Sequence, residues 1–314
     1  MSKIQIVEVR SEFGAGTRGA SLGIDAIKLA SAKLGSNFFS KYPTQIVDLG
    51  NHQALFEEEE NRTAKYIEEI HKVEIKVCDT IAQLSSTKFP IVLAGDHSSG
   101  GGTLSGIKKA NPTKRIGAVW IDAHADLHTP YTTPSGNVHG MPLAMSLSAD
   151  NKENAVNELT PKVSMLWEKM KNVGLDGPKL NPEDIVFIAL RDTELPEDSF
   201  IEKHGIKVFK VEEVREKTTK TIVEETLKYL KDCDLICISF DVDSMDPDDV
   251  SWGTGTPVPG GLTKEEAVEI NRGLIENPKI ASWEMVEVNP LLDKENAMGE
   301  AAFEILEAVV KAKK

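Results

Sequence analysis

The sequence predicts an α/β fold, a three-layer αβα sandwich in which helices cover both faces of a central, mostly parallel sheet of about eight strands. Short apolar runs of strand length alternate with longer segments of helical periodicity along the whole chain. Three of the apolar runs end in clusters of Asp and His. Because ligands bind beyond the carboxyl ends of parallel strands, these clusters predict a polar site at that edge of the sheet.

The first part of the chain supplies three of the predicted strands, over residues 4–9, 45–49 and 90–95. Helices are predicted over 21–34 and 57–84. The second of these begins with four glutamates, 57–60, whose negative charge complements the helix dipole. The glycine-rich segment 14–19 lacks both the dinucleotide-binding and the Walker spacing, so we interpret it as a tight turn beside the site.

The middle of the chain carries the predicted site. The small residues 98–103 are expected to pass close beneath bound ions before a helix over 104–109. The next strand, over 119–121, leads into a polar loop, 127–139, which we expect to carry substrate-binding side chains.

The remainder alternates in the same way. Helices are predicted at 163–170, at 221–230 and from Met298, and strands at 184–190, around Val208, at 235–240 and at 280–288. Thr263 and Glu266 have the spacing of a capping box for a further helix that ends near Ile275. No segment has the length and composition of a flexible linker, so we expect a single domain over residues 1–314.

Six side chains at three predicted strand ends form a candidate metal centre. Asp122, His124 and Asp126 are spaced by two, which puts them on one side of an extended backbone. A lone Asp-x-Asp pair is usually a loop turn or a helix cap, but such clusters after three apolar runs are hard to explain as surface. The six candidate ligands are His97, Asp122, His124, Asp126, Asp241 and Asp243.

The chemistry of these ligands suggests the metal. Nitrogen and carboxylate oxygen donors without a thiolate suit a hard to borderline divalent ion such as Mn²⁺ better than Zn²⁺ or copper. The donors outnumber what one ion usually takes from a protein, so we expect two Mn²⁺ per subunit that share carboxylates. Two such ions indicate a hydrolase that activates water.

Composition excludes several other classes of function. The formal net charge is −14 and no concentration of Lys and Arg is evident, which argues against a nucleic-acid partner. No apolar run is long enough to span a membrane and no signal pattern is visible, so we expect a soluble, cytoplasmic protein. The sparse cysteines, Cys78, Cys233 and Cys237, predict no disulfide scaffold.

Four sequence motifs resemble those of the ureohydrolases, the dimanganese enzymes that include arginase, agmatinase and formimidoylglutamase. They are Gly-Asp-His-Ser at 95–98, Asp-Ala-His-Ala-Asp at 122–126, Ser-Phe-Asp-Val-Asp with Asp-Pro at 239–247, and Gly-Thr-Gly-Thr-Pro at 253–257. The resemblance covers most of the chain. It implies an arginase-like fold, a small guanidino substrate and a homo-oligomer, either a trimer or a hexamer.

Within that family the loop at 132–142 is most similar to the arginase version. This resemblance implies that Ser135 and Asn137 bind the carboxylate of an amino acid and that His139 transfers a proton. It also implies that Glu287 pairs with the guanidinium group and that Thr256 lines the same pocket. Asp126 is expected to act in catalysis as the bridging ligand that holds the nucleophilic water. The implied reaction is hydrolysis of L-arginine to L-ornithine and urea.

Two substrate-binding candidates depart from the usual arginase pattern. His128 stands where arginases usually have Asn, and Glu194 stands where they usually have the Asp that binds the α-amino group. A longer acid reaches about one methylene further and can admit a different guanidino acid. Three other activities therefore remain open, those of an agmatinase, a guanidino-acid hydrolase and a formimidoylglutamase. So does a metal-binding relative without turnover.

Overall fold

The computed structural model describes residues 4–47, 49, 52–57 and 59–313. Its strands form one eight-stranded sheet in the order β2-β1-β3-β8-β7-β4-β5-β6, and every neighbouring pair is parallel. The strands are β1 Ile4–Val9, β2 Thr44–Ile46, β3 Phe89–Ala94, β4 Ile116–Ile121, β5 Ile185–Ile188, β6 Lys207–Phe209, β7 Leu235–Asp241 and β8 Ile280–Val286.

Helices cover both faces of this sheet, which confirms the predicted three-layer sandwich. One layer contains α1 Gly23–Lys33, α2 Phe38–Lys41, α8 Val211–Lys217, α9 Thr219–Tyr229, α10 Lys264–Ile275 and α11 Ala297–Ala312. The opposite layer contains α3 Ile67–Leu84, α4 Gly100–Ala110, α5 Pro142–Ser146, α6 Pro161–Lys171 and α7 Leu195–His204. In the described parts of the chain no helix combines the length and apolarity needed to cross a membrane.

The core explains why the central strands read as continuous apolar runs. In β4, Val119 and Ile121 belong to the core cluster on one face, while Ala118 and Trp120 belong to the cluster on the other. Successive side chains of a strand point to opposite faces, so a strand covered on both sides must be apolar throughout. Central strands such as β3 and β4 could therefore be predicted from the sequence.

The helix predicted over 57–84 starts later in the structure, because α3 begins only at Ile67. Tyr66, just before it, has a left-handed backbone with φ 54°, which a continuous helix does not allow. The carboxylate of Glu59 accepts hydrogen bonds from the backbone N–H groups of Asn61 and Tyr66, at 2.5 and 2.7 Å. That carboxylate therefore organises a turn and not a helix start, whereas Glu58 lies outside the described residues.

Residues 98–103 also differ from the prediction, because α4 begins at Gly100 and includes the three glycines. Helix α4 packs tightly on α3. A Cβ atom at Gly102 would lie 2.8 Å from Glu74 Oε2 and 2.9 Å from Val77 Cβ. The glycines therefore allow the two helices to approach each other, a contact that local sequence does not reveal.

Several boundaries and helices were also missed. The strands predicted to Leu190 and Val288 end earlier, because Ala189 and Glu287 have positive φ angles of 74° and 70°. Strand β2 is shorter than the predicted 45–49, and residue 48 lies outside the described part. Helices α2, α5, α7 and α8 were not predicted. The capping box of Thr263 and Glu266 at the start of α10 is confirmed.

Candidate metal centre and active site

The six predicted ligands come together at the carboxyl edge of the sheet. His97 lies in the 3₁₀ turn His97–Ser99 after β3. Three ligands follow β4, and Asp241 is the last residue of β7. Because β3, β8, β7 and β4 are consecutive in the sheet, their carboxyl ends face one small volume. The residues gathered there are His97, Asp122, His124, Asp126, Asp241 and Asp243.

Two groups of donor atoms share Asp122. The Nδ1 atom of His97 lies 2.9 Å from Asp126 Oδ2, 3.1 Å from Asp122 Oδ2 and 3.2 Å from Asp241 Oδ2. The Nδ1 atom of His124 lies 3.0 Å from Asp243 Oδ2 and 3.5 Å from Asp122 Oδ1. Asp122 thus has one oxygen facing each imidazole, the geometry of a carboxylate that bridges two cations.

Two buried atoms in this cluster lack hydrogen bonds within the described structure. They are Nδ1 of His97 and Oδ2 of Asp122. On the other side of the His97 ring, Nε2 lies 2.8 Å from the hydroxyl of Ser239. If that nitrogen carries the ring proton, Nδ1 presents a lone pair toward the carboxylates, which is the arrangement of a metal ligand. The residues present therefore fit a pair of divalent cations.

The electrostatics of the cluster also favour cations. Burial raises the pKa of Asp126 and Asp241, and neighbouring aspartates raise it further. Burial opposes ionisation of Asp122, but its contacts with His124 and His97 lower its pKa below the usual range. Burial alone would lower the pKa of both histidines, yet the surrounding carboxylates raise it. The site thus holds protons or cations to balance its negative charge.

A Trp ring and a buried carboxylate support the ligands from behind. The indole of Trp120 stacks on the His97 ring, with centroids 4.4 Å apart, and its N–H donates to Asp126 Oδ2 at 3.2 Å. The fully buried Glu284 accepts hydrogen bonds from the hydroxyls of Ser99 and Ser239. Such contacts fix the orientation of metal ligands. Sequence analysis treated both supporting residues only as strand positions.

Glu287 and His139 form a pair beside the candidate ligands. The Nδ1 atom of His139 lies 3.0 Å from Glu287 Oε1, which also accepts the backbone N–H of His97 at 2.9 Å. Burial lowers the pKa of His139, but the charge and hydrogen bond of Glu287 and the charges of nearby aspartates together raise it. Glu287 has a positive φ of 70°, a kind of backbone strain that is common at functional sites.

The glycine-rich segment 14–19 lies beside this pair, as expected for a turn near the site. The carbonyl oxygen of Gly14 accepts the backbone N–H of His139, and the N–H of Gly14 donates to the buried Asp96. A Cβ atom at Gly14 would lie 2.6 Å from Asp96 Oδ1. The segment therefore supports the loop that carries His139.

A cavity of about 270 Å³ opens above the cluster. Predicted site residues that line it are His97, His124, Asp126, His128, Ser135, Asn137, His139, Glu194, Asp241, Asp243 and Thr256. The hydroxyl of Thr256 donates to Asp243 Oδ2 at 3.1 Å. Glu287 and Asp122 lie behind this lining and reach it through His139 and His124. The cavity thus joins the donor cluster to the loop that carries Ser135 and Asn137.

The sequence model of the arginase family matches residues 2–311. The chain belongs to the arginase family. It is 33% identical to the arginase of Bacillus subtilis over 309 residues, which cover 98% of this chain and 97% of that protein. It is 34% identical to the arginase of Bacillus caldovelox, with the same coverage of both chains. The resemblance drawn from the motifs is therefore confirmed, and the chain is a ureohydrolase.

Solved structures of arginases have the same fold as this chain. The structure of Bacillus caldovelox arginase superimposes with a TM-score of 0.82 at 33% identity, covering 99% of this chain and 98% of that one. The arginase of Entamoeba histolytica, solved in complex with L-ornithine, gives a TM-score of 0.82 at 28% identity and covers 98% and 97% of the two chains. The formimidoylglutamase of Bacillus subtilis, at 20% identity, shares the fold.

The two departures from the usual arginase pattern contact each other. His128 Nε2 forms a close hydrogen-bond contact with Glu194 and lies 3.5 Å from Glu197 Oε2. The other ring nitrogen lies 3.1 Å from the hydroxyl of Thr132. Burial raises the pKa of Glu197 to about 7. His128 and Glu194 both line the cavity, so their contact forms part of its wall in this member of the arginase family.

Sequence analysis missed two acidic residues of that wall, Asp192 and Glu197, which both line the cavity. Asp192 Oδ2 lies 3.5 Å from Nε2 of the candidate ligand His124. Glu197 forms a capping box with Glu194 at the start of α7. The spacing of these two glutamates by three residues is a helix-start pattern that was available in the sequence.

Proposed function

We propose that this arginase-family enzyme hydrolyses L-arginine to L-ornithine and urea, with two Mn²⁺ per subunit. The observation that carries the proposal is the pair of donor groups that share Asp122, next to the His139–Glu287 pair and below a loop with Ser135 and Asn137. Arginase relatives of near-equal length support the same substrate.

The donor set is consistent with two manganese ions. His97, Asp122, Asp126 and Asp241 would hold one ion, and His124, Asp122 and Asp243 would hold the other. In this arrangement the shared ligand would be Asp122 and not Asp126, which was expected to bridge the ions. All donors are imidazole nitrogens or carboxylate oxygens, which suit Mn²⁺. The chemistry that such a pair of ions supplies is activation of water for attack on a guanidinium carbon.

The remaining pocket residues would bind the two ends of the substrate. Glu287 lies just behind the cavity lining, and its second oxygen, which does not accept from His97 and His139, would be the one that pairs with a guanidinium group. Ser135 and Asn137, at the far end, offer neutral hydrogen-bond donors for a carboxylate. Thr256, hydrogen-bonded to Asp243, would line the pocket between these ends.

His139 would supply the proton that the leaving amine needs. Burial lowers the pKa of His139, but the charge and hydrogen bond of Glu287, together with the charges of Asp126 and Asp96, raise it above the ordinary value, which favours the protonated imidazole. Glu287 holds the ring through Nδ1, which leaves Nε2 to face the pocket. When the bond between the guanidinium carbon and the side-chain nitrogen breaks, that nitrogen would take this proton and leave as ornithine.

A substrate panel with added Mn²⁺ tests the proposal. We expect L-arginine to give urea and ornithine in equal amounts, with a higher kcat/KM than agmatine, 4-guanidinobutyrate or formiminoglutamate. Protein with two bound ions that releases no urea from L-arginine would overturn it. If the protein hydrolyses no compound of the panel, the result would favour a metal-binding relative without turnover.

A different guanidino acid is the second candidate, and the His128–Glu194 pair favours it. That pair occupies the wall where the α-amino group is expected, so it can change the length of substrate accepted. Glu194→Asp combined with His128→Asn restores the usual arginase pattern. If the double variant prefers L-arginine more strongly than the wild type does, the His128–Glu194 pair is the cause of the altered substrate preference.

We further propose, from the family resemblance, a homo-oligomer (trimer or hexamer) that acts in the cytoplasm as one catalytic domain per chain. Neither a nucleic acid nor a membrane is proposed as a partner. Light scattering of the purified protein measures the subunit number. A monomer at micromolar concentration would contradict this part of the proposal.

A further inference from the structure

Lys65 is a cation attached to the loop that carries two residues of the cavity lining, Ser135 and Asn137. Its ammonium Nζ donates a hydrogen bond to Asn137 Oδ1 at 3.1 Å, and its backbone N–H donates to the carbonyl oxygen of Gly136 at 2.8 Å. The side chain is half-buried. The segment before α3 therefore supports the pocket loop at two points.

This contact fixes the orientation of the Asn137 amide. An ammonium group has only donors, so it can face the amide oxygen but not the amide NH₂ group. The donor end, Nδ2, is thus turned away from Lys65 and passes close to Gly16, where a Cβ atom would lie 2.5 Å from it. Asn137 is part of the cavity lining, so the donor end remains for a ligand in the pocket.

Lys65 also brings a positive charge close to a cavity that is lined by carboxylates. Six carboxylates line the cavity, and the lining identified among the described residues contains no Lys or Arg. Three of these carboxylates, those of Asp192, Glu194 and Glu197, are not candidate metal ligands, and they repel a substrate carboxylate unless a cation lies near its binding point. Lys65, one hydrogen bond behind Asn137, puts a positive charge at the end of the cavity that carries Ser135 and Asn137.

We propose that Lys65 is a positioning residue that makes the enzyme selective for guanidino substrates with a carboxylate. It presents the amide NH₂ of Asn137 to that carboxylate and adds a positive charge behind it. This inference rests on the proposed function, in which Asn137 contacts the substrate carboxylate. Agmatine is the matched probe, because it is arginine without that carboxylate.

The test compares Lys65→Met with Lys65→Arg, using L-arginine and agmatine. Methionine keeps the length of the side chain and leaves the backbone hydrogen bond to Gly136 in place. We expect the ratio of kcat/KM for arginine to that for agmatine to fall about tenfold in Lys65→Met, the loss typical of one hydrogen bond to a charged group. The fall should come from KM for arginine, and Lys65→Arg should restore most of it.

Lys72→Met is the control, because Lys72 is an exposed residue of α3 that pairs with Glu69 and not with the loop. It should leave the substrate ratio unchanged. Equal losses for arginine and agmatine in Lys65→Met would show a structural role only and overturn the proposal, and so would an unchanged ratio.

Binding measurements separate this proposal from the assignment of the reaction. If the wild type releases no urea from L-arginine, the proposed function fails, and calorimetry with Mn²⁺-loaded protein still tests Lys65. L-Ornithine and putrescine are the probes, since they differ only in the carboxylate. We expect Lys65→Met to weaken ornithine binding about tenfold more than putrescine binding. Equal changes for both ligands would overturn the role of Lys65.

Discussion

Trp120 holds two candidate ligands at the same time, one through its ring face and the other through its N–H. The stacked indole restricts rotation of His97, and the hydrogen bond to Asp126 Oδ2 fixes that carboxylate. Asp126 itself has a positive φ of 52°, which is uncommon for a residue other than glycine. The pocket thus keeps an unfavourable backbone conformation that turns Asp126 toward His97.

Asp126→Ala should lose one metal ion and nearly all activity. The substitution removes a donor 2.9 Å from His97 Nδ1, so one of the two cation sites would lack a carboxylate. We expect metal content to fall from two ions toward one per subunit and kcat to fall at least about a hundredfold. Elemental analysis and urea release measure both quantities. Asp79→Ala, on the surface beside Lys109, is the control, and two ions with full turnover in Asp126→Ala would refute the assignment.

His139→Asn should lower the rate without loss of metal. Asparagine can keep a hydrogen bond to Glu287 but cannot hold and release a proton near neutral pH. Removing a general acid typically costs between about a hundredfold and ten-thousandfold, so kcat should fall within that range. Metal content should stay at the wild-type value, in contrast to Asp126→Ala. A parallel loss of metal would instead make His139 a support for the ligands.

Helices and strands could be predicted from the sequence where their formation depends on neighbouring residues alone. Strands β3 and β4 were readable because both faces of the sheet are covered, and α10 was readable because Thr263 and Glu266 complete a capping box at its start. The helix predicted from residue 57 failed because a carboxylate turn at Glu59 and the left-handed Tyr66 depend on specific hydrogen bonds. The early start of α4 depends on a distant helix.

The same limits apply to the candidate site. Its ligands could be predicted because each follows an apolar strand at a spacing that metal chemistry favours. The supporting residues could not, since Glu284 acts through hydroxyls on β7 and on the turn after β3, and Lys65 contacts Asn137 across 72 residues of sequence. Such contacts exist only in the folded chain. The sequence around Glu284 and Lys65 does not indicate that these residues support the site.

Gly102→Ala tests the close contact between α3 and α4. Alanine is a better helix former than glycine by about 1 kcal/mol, so propensity alone predicts stabilisation. The new methyl group would lie 2.8 Å from Glu74 Oε2 and 2.9 Å from Val77 Cβ, in a fully buried interface. We expect a net loss of about 1–3 kcal/mol in the free energy of unfolding, measured with urea. Gly273→Ala in α10, where the nearest contact is 3.1 Å, should cost less, and stabilisation by Gly102→Ala would contradict the packing.

For the molecule as a whole, the clustered carboxylates make stability depend on bound cations. In chelated protein, burial raises the pKa of Asp126, Asp241 and Asp243, so the folded chain binds more protons than the unfolded chain above about pH 4. The surrounding carboxylates outweigh burial and raise the pKa of His97 and His124, which acts in the same direction. The lowered pKa of Asp122 reduces the number of protons bound by the folded chain, but only at more acidic pH. Folding of the chelated protein is therefore favoured as pH falls from 8 to 5.

The protein loaded with divalent cations should behave in the opposite way at the same site, because protons compete with cations for these ligands. We expect chelation to lower Tm strongly at pH 8 and only slightly at pH 5, so that the difference in Tm between loaded and chelated protein shrinks as pH falls. Calorimetric scans of both forms across this range measure the difference. Both forms contain the same side chains, so the difference in Tm reports on the bound cations and their ligands. Asp126→Ala, which removes one of the raised carboxyl groups, should flatten the pH dependence of the chelated form. A difference in Tm that stays constant from pH 8 to pH 5 would mean that the buried carboxylates do not bind the cations.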